Sequence, residues 1–201
     1  MNKLLIGSAL LALTGAAQAE TLDFNLGPDS LRGFFSGPLA KLSNGLTGQY
    51  DAGFIYKEGD DSSTDPDDAK LKLAHAGVLA TGDVGVTGAD AKAGLGARLV
   101  YADRELAGNS DSGLALAFGG QFNVRLPSFE RVGFTGYGWY SPSITSSSEI
   151  KNYSEFAVDV EFEVVRAAAI YAGYRVVNVK PDAGGSQEAD SSAHVGLKLN
   201  F

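Results

Sequence analysis

Two histidines, His75 and His194, decide most of the question of whether this chain could be an enzyme. His194 is close in sequence to Asp190, Ser191 and Ser192, so a nucleophile and its general base could meet there. No spacing typical of a hydrolase supports that pairing. His75 shares its alternation with three leucines, which predicts an apolar strand face and a poor general base: Leu71, Leu73 and Leu79. We expect no catalytic residue and keep hydrolysis by His194 as an alternative.

Carboxylates and one arginine alternate with apolar residues in two neighbouring segments. Between Tyr153 and Val164, every second residue is apolar, and four of the residues between them are acidic: Glu155, Asp159, Glu161 and Glu163. In the next segment Arg175 lies on the corresponding polar face. A tight turn near Arg166 would place Arg175 diagonal to Asp159 and Glu155, which predicts a salt bridge there.

Other segments add basic and acidic residues to the same polar face, together with His194: Asp51, Lys92, Arg98, Arg125 and Lys198. If this face lines the inside of a small barrel, both charge signs meet in similar numbers. Unpaired charges there would be costly, so mixed signs predict a paired network that seals the interior rather than a selectivity filter.

The segment from Lys57 to Asp68 is strongly acidic, with carboxylates at Glu58, Asp60, Asp61, Asp65, Asp67 and Asp68. Such a group could hold Ca²⁺ or Mg²⁺ among lipopolysaccharide phosphates. It lacks the spacing and the glycine of an EF-hand, so a solvated loop is the favoured interpretation. No zinc, phosphate-loop or dinucleotide motif is present, and no cofactor is expected.

Alternation of apolar and polar residues predicts an all-β protein. Eight segments of nine to thirteen residues can be counted: Leu46 to Tyr56, Lys70 to Thr81, Ala91 to Tyr101, Gly113 to Arg125, Val132 to Tyr140, Tyr153 to Val164, Ala168 to Asn178 and Ser192 to Phe201. Segments of this length can cross a bilayer when they close into a barrel, because every backbone group then finds a partner. We therefore predict a transmembrane antiparallel up-and-down β-barrel of eight strands.

The N-terminal part divides into two segments. Residues 1–19 combine Lys3, an apolar run from Leu4 to Leu13 and small residues at Ala17 and Ala19, which is typical of a cleaved signal peptide. Residues 20–45 contain two short apolar stretches around a turn at Gly27. They form either a separate segment or an extra hairpin, which would give ten strands, and residues 46–201 form the barrel.

The eight-strand count makes the longer connections external and the shorter ones periplasmic. The external loops would be Lys57 to Ala69, Ala102 to Ser112, Ser141 to Asn152 and Val179 to Ser191. Aromatic rings near the outer strand ends would mark a membrane-water interface: Tyr56, Tyr101, Trp139, Tyr140 and Tyr153.

Composition excludes several classes of protein. The net charge of −8 argues against nucleic acid as a partner. The absence of cysteine excludes disulfides and thiolate metal sites. The 26 glycines suit strands that approach closely and bend.

Several short motifs resemble the YfaZ family of predicted outer-membrane proteins: Gly53-Phe54-Ile55-Tyr56, Gly96 to Asp103, Tyr140-Ser141-Pro142-Ser143, Ala172-Gly173-Tyr174-Arg175 and Ala193 to Phe201. The resemblance implies an outer-membrane location and supplies no catalytic residue. The terminal aromatic residue also resembles the sorting signal of bacterial outer-membrane barrels, which implies that Phe201 is recognised by the barrel-assembly machinery.

We expect a small outer-membrane barrel in contact with lipid and lipopolysaccharide, with a structural or surface role or as a narrow passage for a small solute. One alternative is an OmpW-like transporter of small apolar molecules, which would need a gap in the wall, and the glycine-rich stretch Gly133 to Gly138 is its motivation. Another is a lipid hydrolase at the barrel rim that uses His194. A soluble periplasmic β-sandwich is disfavoured, because its outward residues would be polar.

Overall fold

A closed barrel of ten antiparallel strands forms in the computed structural model, which describes residues 20–59, 68–106, 108–147, 149–181 and 188–201. Each strand pairs with its neighbours in the chain, and the first strand pairs with the last. The strands are β1 (Thr21–Leu26), β2 (Ser30–Lys41), β3 (Thr47–Lys57), β4 (Lys70–Asp83), β5 (Asp90–Leu106), β6 (Asn109–Arg125), β7 (Val132–Ser141), β8 (Ile150–Val165), β9 (Ala168–Pro181) and β10 (Glu188–Asn200). Three short 3₁₀ turns lie at Ser43–Gly45, Pro127–Phe129 and Ser143–Thr145.

Strand formation follows from the two-residue period of the sequence, because successive side chains point to opposite faces of a strand. In β8, Phe156, Val158 and Val160 are exposed on the outside, whereas Glu155 and Glu161 are buried inside. The barrel thus has an apolar exterior and a partly charged interior. No helix among the described residues is long and apolar enough to cross a membrane.

The structure has the alternative count of ten strands, not the favoured count of eight. The two extra strands are β1 and β2, so residues 20–45 belong to the wall and the predicted boundary at residue 46 lies in the turn between β2 and β3. β1 has only six residues, fewer than a full span needs. It pairs with the C-terminal part of β10, where it forms six register pairs with Val195 to Asn200. The predicted signal peptide lies outside the described residues.

The two ends of the barrel differ. Glu20 and Phe201 exchange backbone hydrogen bonds of 2.8 and 3.0 Å at one end, which we call the terminal end. The other end, the loop end, carries the connections from β3 to β4, from β7 to β8 and from β9 to β10. The predicted external loop Ala102 to Ser112 is mostly strand, because β5 and β6 pair from Leu106 and Asn109 downward over their whole length.

The connection between β7 and β8 continues the wall at the loop end. β7 pairs with β6 only as far as Phe118, and above that point the connection folds along β6 instead. Ser146 forms a bridge with Ala115, and the Ser147 backbone N–H donates to the Leu114 carbonyl at 2.8 Å. Residues predicted as a free loop therefore protect the edge of β6.

Glycine lets β6 and β7 approach closely. A Cβ added at Gly119 in β6 would lie 2.0 Å from the Gly138 carbonyl oxygen in β7, too close for any side chain. At Gly133 the nearest atom would be 3.7 Å away, an ordinary contact.

We expect Gly119→Ala to lower the free energy of unfolding by about 1–3 kcal/mol, because backbone must move to accept the methyl group. Gly133→Ala is the matched control and should change it by less than about 1 kcal/mol. Urea titration of the refolded barrel in lipid vesicles measures both. Equal effects of the two changes would contradict this reading of the β6 and β7 contact.

Candidate functional site

The lumen is filled by side chains in three layers. Toward the loop end lies an apolar layer of buried residues that pack in one cluster: Ile55, Leu71, Leu73, Val100, Ala102, Ala115, Ile150, Tyr153, Val177, Val179 and Ala189. Below it lies a central belt of buried charged residues and one histidine: Arg32, Asp51, His75, Arg98, Glu155, Arg175 and Asp190. Toward the terminal end lies a terminal cluster: Asp23, Arg125, Asp159, Glu161, Glu163, Tyr171, His194 and Lys198.

Asp51 and Arg98 form a buried ion pair in the central belt. Arg98 Nε lies 3.1 Å from each carboxylate oxygen of Asp51, and Arg98 Nη2 lies 3.0 Å from Oδ2. Both side chains are 1% exposed. The Arg98 guanidinium also stacks on the Trp139 ring, with Cζ 3.9 Å from the ring centroid. This arrangement fixes Arg98 by a charge-assisted pair and by an aromatic face.

Arg175 joins four strands, but not through the predicted partners Asp159 and Glu155. Its Nη2 donates to Asp190 at 2.7 Å and to Ser30 at 3.1 Å, and its Nη1 donates to Asn25 at 3.0 Å. Arg175 lies on β9 and Asp190 on β10, and both side chains are fully buried. The bonds from Arg175 to Ser30 and Asn25 connect this pair to the hairpin of β1 and β2. The prediction was wrong because it placed Asp190 in a loop and the hairpin outside the barrel.

Glu155 is hydrogen bonded by two tyrosines rather than by an arginine. Tyr137 donates to its Oε1 at 2.7 Å, and Tyr153 donates to its Oε2. Arg32 lies in the same belt, where its Cζ is 5.3 Å from the Tyr137 ring centroid. The nearest carboxylate oxygen in ion-pair range of Arg32 is Asp23 Oδ2, 3.9 Å from Nη1, which is beyond hydrogen-bond distance.

The terminal cluster pairs each of its acidic residues with a nearby donor. His194 Nε2 lies 2.8 Å from Asp159 Oδ1, Lys198 contacts Glu161, Arg125 contacts Glu163, and Tyr171 donates to Asp23. The Arg125 and Glu163 side chains are 30% and 25% exposed, so this cluster meets solvent at the terminal end.

Both histidines differ from their predicted positions. His75 lies inside the barrel, not on the apolar exterior, and its Nε2 is 3.8 Å from Asp51 Oδ1. Apart from Val78, the outward residues of β4 are small or polar, whereas its leucines point inward. His194 points inward as predicted but is 2% exposed and bonded to Asp159, so it does not lie at the outer rim.

Two aromatic residues assigned to the interface are buried in the lumen. Trp139 is fully buried and Tyr153 is 1% exposed, while Tyr56, Tyr101 and Tyr140 lie on the exterior. Parity explains the difference, because residues two apart in a strand share a face. Tyr153 shares the inward face of β8 with Glu155, and Trp139 shares the inward face of β7 with Tyr137.

Sequence reasoning missed several buried polar residues, among them Asp23, Asn25, Arg32, Lys57, Arg104 and Asp190. Alternation with apolar residues was present around Asp23, Asn25 and Arg32, so the signal existed. These stretches are shorter than the about nine to eleven residues that a tilted strand needs to span a bilayer, which favoured the count of eight.

The remaining predicted site residues lie at the terminal end. Lys92 shares the inward parity of Arg98 but is exposed. Phe201 is also exposed, next to Glu20. Most of the acidic segment Lys57 to Asp68 lies outside the described residues, and no group of metal-ligating side chains is found in the described part of the chain.

A groove of about 540 Å³ lies in the wall across β5 to β9. Its lining includes exposed apolar side chains, among them Leu95, Phe122, Phe156 and Tyr174, and three glycines: Gly94, Gly120 and Gly138. Tyr137 and Gln121, which lie on inward faces of their strands, also line the groove.

Comparison with known proteins gives one family and several solved structures. The family model described as YfaZ precursor matches residues 1–201. Neisserial surface protein A is 13% identical, with 92% of this chain and 95% of that chain covered and a TM-score of 0.40. The NanC porin is 10% identical, with 92% and 99% covered and a TM-score of 0.38. The KdgM porin is 12% identical, with 91% and 99% covered and a TM-score of 0.34. No curated protein matches the chain.

Proposed function

The chain belongs to the YfaZ family, and from this premise we propose that it is a sealed outer-membrane surface protein of a Gram-negative bacterium, not a pore or an enzyme. The observation that carries this proposal is the apolar layer, a cluster of buried side chains that lies toward the loop end together with the buried side chains of Lys57 and Arg104. A solute that entered from the loop end would have to displace buried side chains from a packed core, which is energetically costly.

The exterior supports a membrane location. Large apolar side chains are exposed on nearly every strand, for example Leu95 at 75% and Val158 at 60%. A soluble protein rarely exposes so extensive an apolar surface, and lipid would cover it.

Charged pairs mark the outer limit of this surface. Outward-facing Lys72 lies 3.6 Å from Asp103, just beyond the level of Tyr101 on the same face. We propose that the apolar band contacts lipid tails and that these residues reach the headgroups of lipid and lipopolysaccharide.

Export and assembly complete the proposal. Residues 1–19 act as a cleaved signal peptide, and the exposed Phe201 at the terminal end is accessible to the barrel-assembly machinery. The acidic chain has no nucleic acid partner.

Two alternatives receive less support from the geometry. An OmpW-like transporter would need the wall groove to continue into the lumen, but the inward-facing Tyr137 and Gln121 line it. A rim hydrolase would need His194 to reach substrate, but its side chain is 2% exposed and its Nδ1 has no hydroxyl partner among the described residues.

The experiment is single-channel recording of the refolded protein in planar bilayers. Heat-modifiable gel mobility first confirms that the barrel has folded, and an open porin in the same bilayer serves as the positive control. We expect silence, because the apolar layer excludes ions. Steady discrete openings of the folded barrel would overturn the sealed structure and favour a narrow passage.

A further inference from the structure

We propose that the central belt holds bound water that links its arginines, His75 and Trp139 to the carboxylates of Glu155 and Asp51. The residues of the site are buried in the lumen. The inference concerns the interior of the folded barrel and holds whether or not the protein conducts.

Five buried nitrogen atoms in this belt or in Trp139, which lies against it, lack a hydrogen-bond partner among the described residues: Arg32 Nε, His75 Nδ1, His75 Nε2, Arg98 Nη1 and Trp139 Nε1. These five atoms lie close together in the described part of the lumen. Arginine and tryptophan nitrogens can only donate, and a neutral histidine donates from one ring nitrogen. The belt therefore presents several donors that need an acceptor.

These groups are neighbours. Arg98 Cζ lies 3.9 Å from the Trp139 ring centroid. The Phe34 ring lies near Arg32, Arg98 and His75. Its centroid is 4.7 Å from Arg32 Cζ, 5.6 Å from Arg98 Cζ and 6.0 Å from the His75 ring. A small molecule between them could receive more than one of the free N–H groups.

The buried Arg32 is the clearest case. Its guanidinium carries five N–H bonds. Its only ion pair among the described residues is with Asp23, at 3.9 Å, and its other contacts there are the ring faces of Phe34 and Tyr137. A buried guanidinium held only by these contacts calls for a bridging acceptor.

Charge favours water over an anion. Asp51 already neutralises Arg98, and Glu155 and Asp23 lie in the same region as Arg32. An added anion would face these carboxylates. Water can accept from the arginines and donate to Glu155, whose two oxygens each accept one tyrosine hydroxyl and retain further acceptor capacity.

The test uses the single tryptophan of the chain, which gives one indole N–H signal in nuclear magnetic resonance. Protein with ¹⁵N-labelled tryptophan is refolded in detergent micelles. Rotating-frame spectra then detect contact between Trp139 Nε1–H and water, and the sign of the cross-peak separates this contact from chemical exchange of the indole proton with the solvent. We expect a direct cross-peak, even though the Trp139 side chain is buried.

Arg32→Met provides the variant, because it removes donors from the site without touching the tryptophan. We expect the cross-peak to fall at least several-fold. Lys198→Met in the terminal cluster is the matched control and should leave it unchanged. The position and sharpness of the indole signal report whether each variant has folded.

Two outcomes would overturn the proposal. A folded wild-type barrel without a direct cross-peak would show that the donors are dry. A saturable shift of the indole signal with sodium bromide, absent with sodium sulfate, would show a bound halide instead of water. Neither outcome affects the conductance test, so failure of this inference is distinguishable from failure of the sealed-barrel proposal.

Discussion

Arg175→Met is expected to lower the free energy of unfolding by about 3–5 kcal/mol, because it leaves Asp190 charged and buried without its partner. The arginine also bonds Ser30 and Asn25, so the change loosens the hairpin of β1 and β2 where the barrel closes. That closure has only six register pairs between β1 and β10, compared with seventeen between β5 and β6. Urea titration in lipid vesicles, followed by gel mobility, gives the free energy.

A double variant and a matched control separate charge from shape. Arg175→Met combined with Asp190→Leu should recover most of the loss, because no buried charge remains. Lys72→Met breaks a pair whose side chains are 53% and 24% exposed and should cost less than about 1 kcal/mol. If Arg175→Met cost no more than Lys72→Met, Arg175 would not hold the closure.

Serine at three positions of the apolar layer is expected to turn the silent barrel into a conducting one. The changes are Leu73→Ser, Val100→Ser and Val177→Ser, all in the packed cluster. Small apolar cavities remain dry, whereas hydroxyl groups give water hydrogen-bond partners, so the layer should hydrate and join the polar residues below it. Steady openings in planar bilayers are the expected result.

The matched control places three serines on the lipid-facing side of the same wall. Val78, Val158 and Val160 are exposed to between 50% and 60%, and serine there leaves the lumen unchanged. This variant should remain silent. Both variants must show the gel mobility of a folded barrel. If the folded lumen variant were silent too, the apolar layer would not be what blocks conduction, and the seal would lie in the central belt.

β4 shows where pattern reasoning failed. Leu71, Leu73 and Leu79 share one face with His75, and apolar residues were taken to face lipid. The interior of this barrel is itself apolar toward the loop end, so hydropathy cannot distinguish the two environments. The packing of β4 against the rest of the lumen decides which face points inward.

The ion pairs show the same division. The sequence correctly placed Asp51, Arg98, Glu155 and Arg175 on inward faces, because parity within a strand is enough for that. It did not find their partners. Arg175 reaches Asp190 and the hairpin of β1 and β2, a contact that depends on strands about 150 residues apart in the chain.

The sequence by itself determined the all-β wall, its apolar exterior and the inward parity of most charged residues, because alternation is a local property of the extended chain. Only the tertiary structure decided the count of ten strands, the apolar layer in the lumen and the partners of each buried charge. These depend on closure between β1 and β10 and on side chains that meet across the barrel, and neither is encoded in the spacing of neighbouring residues.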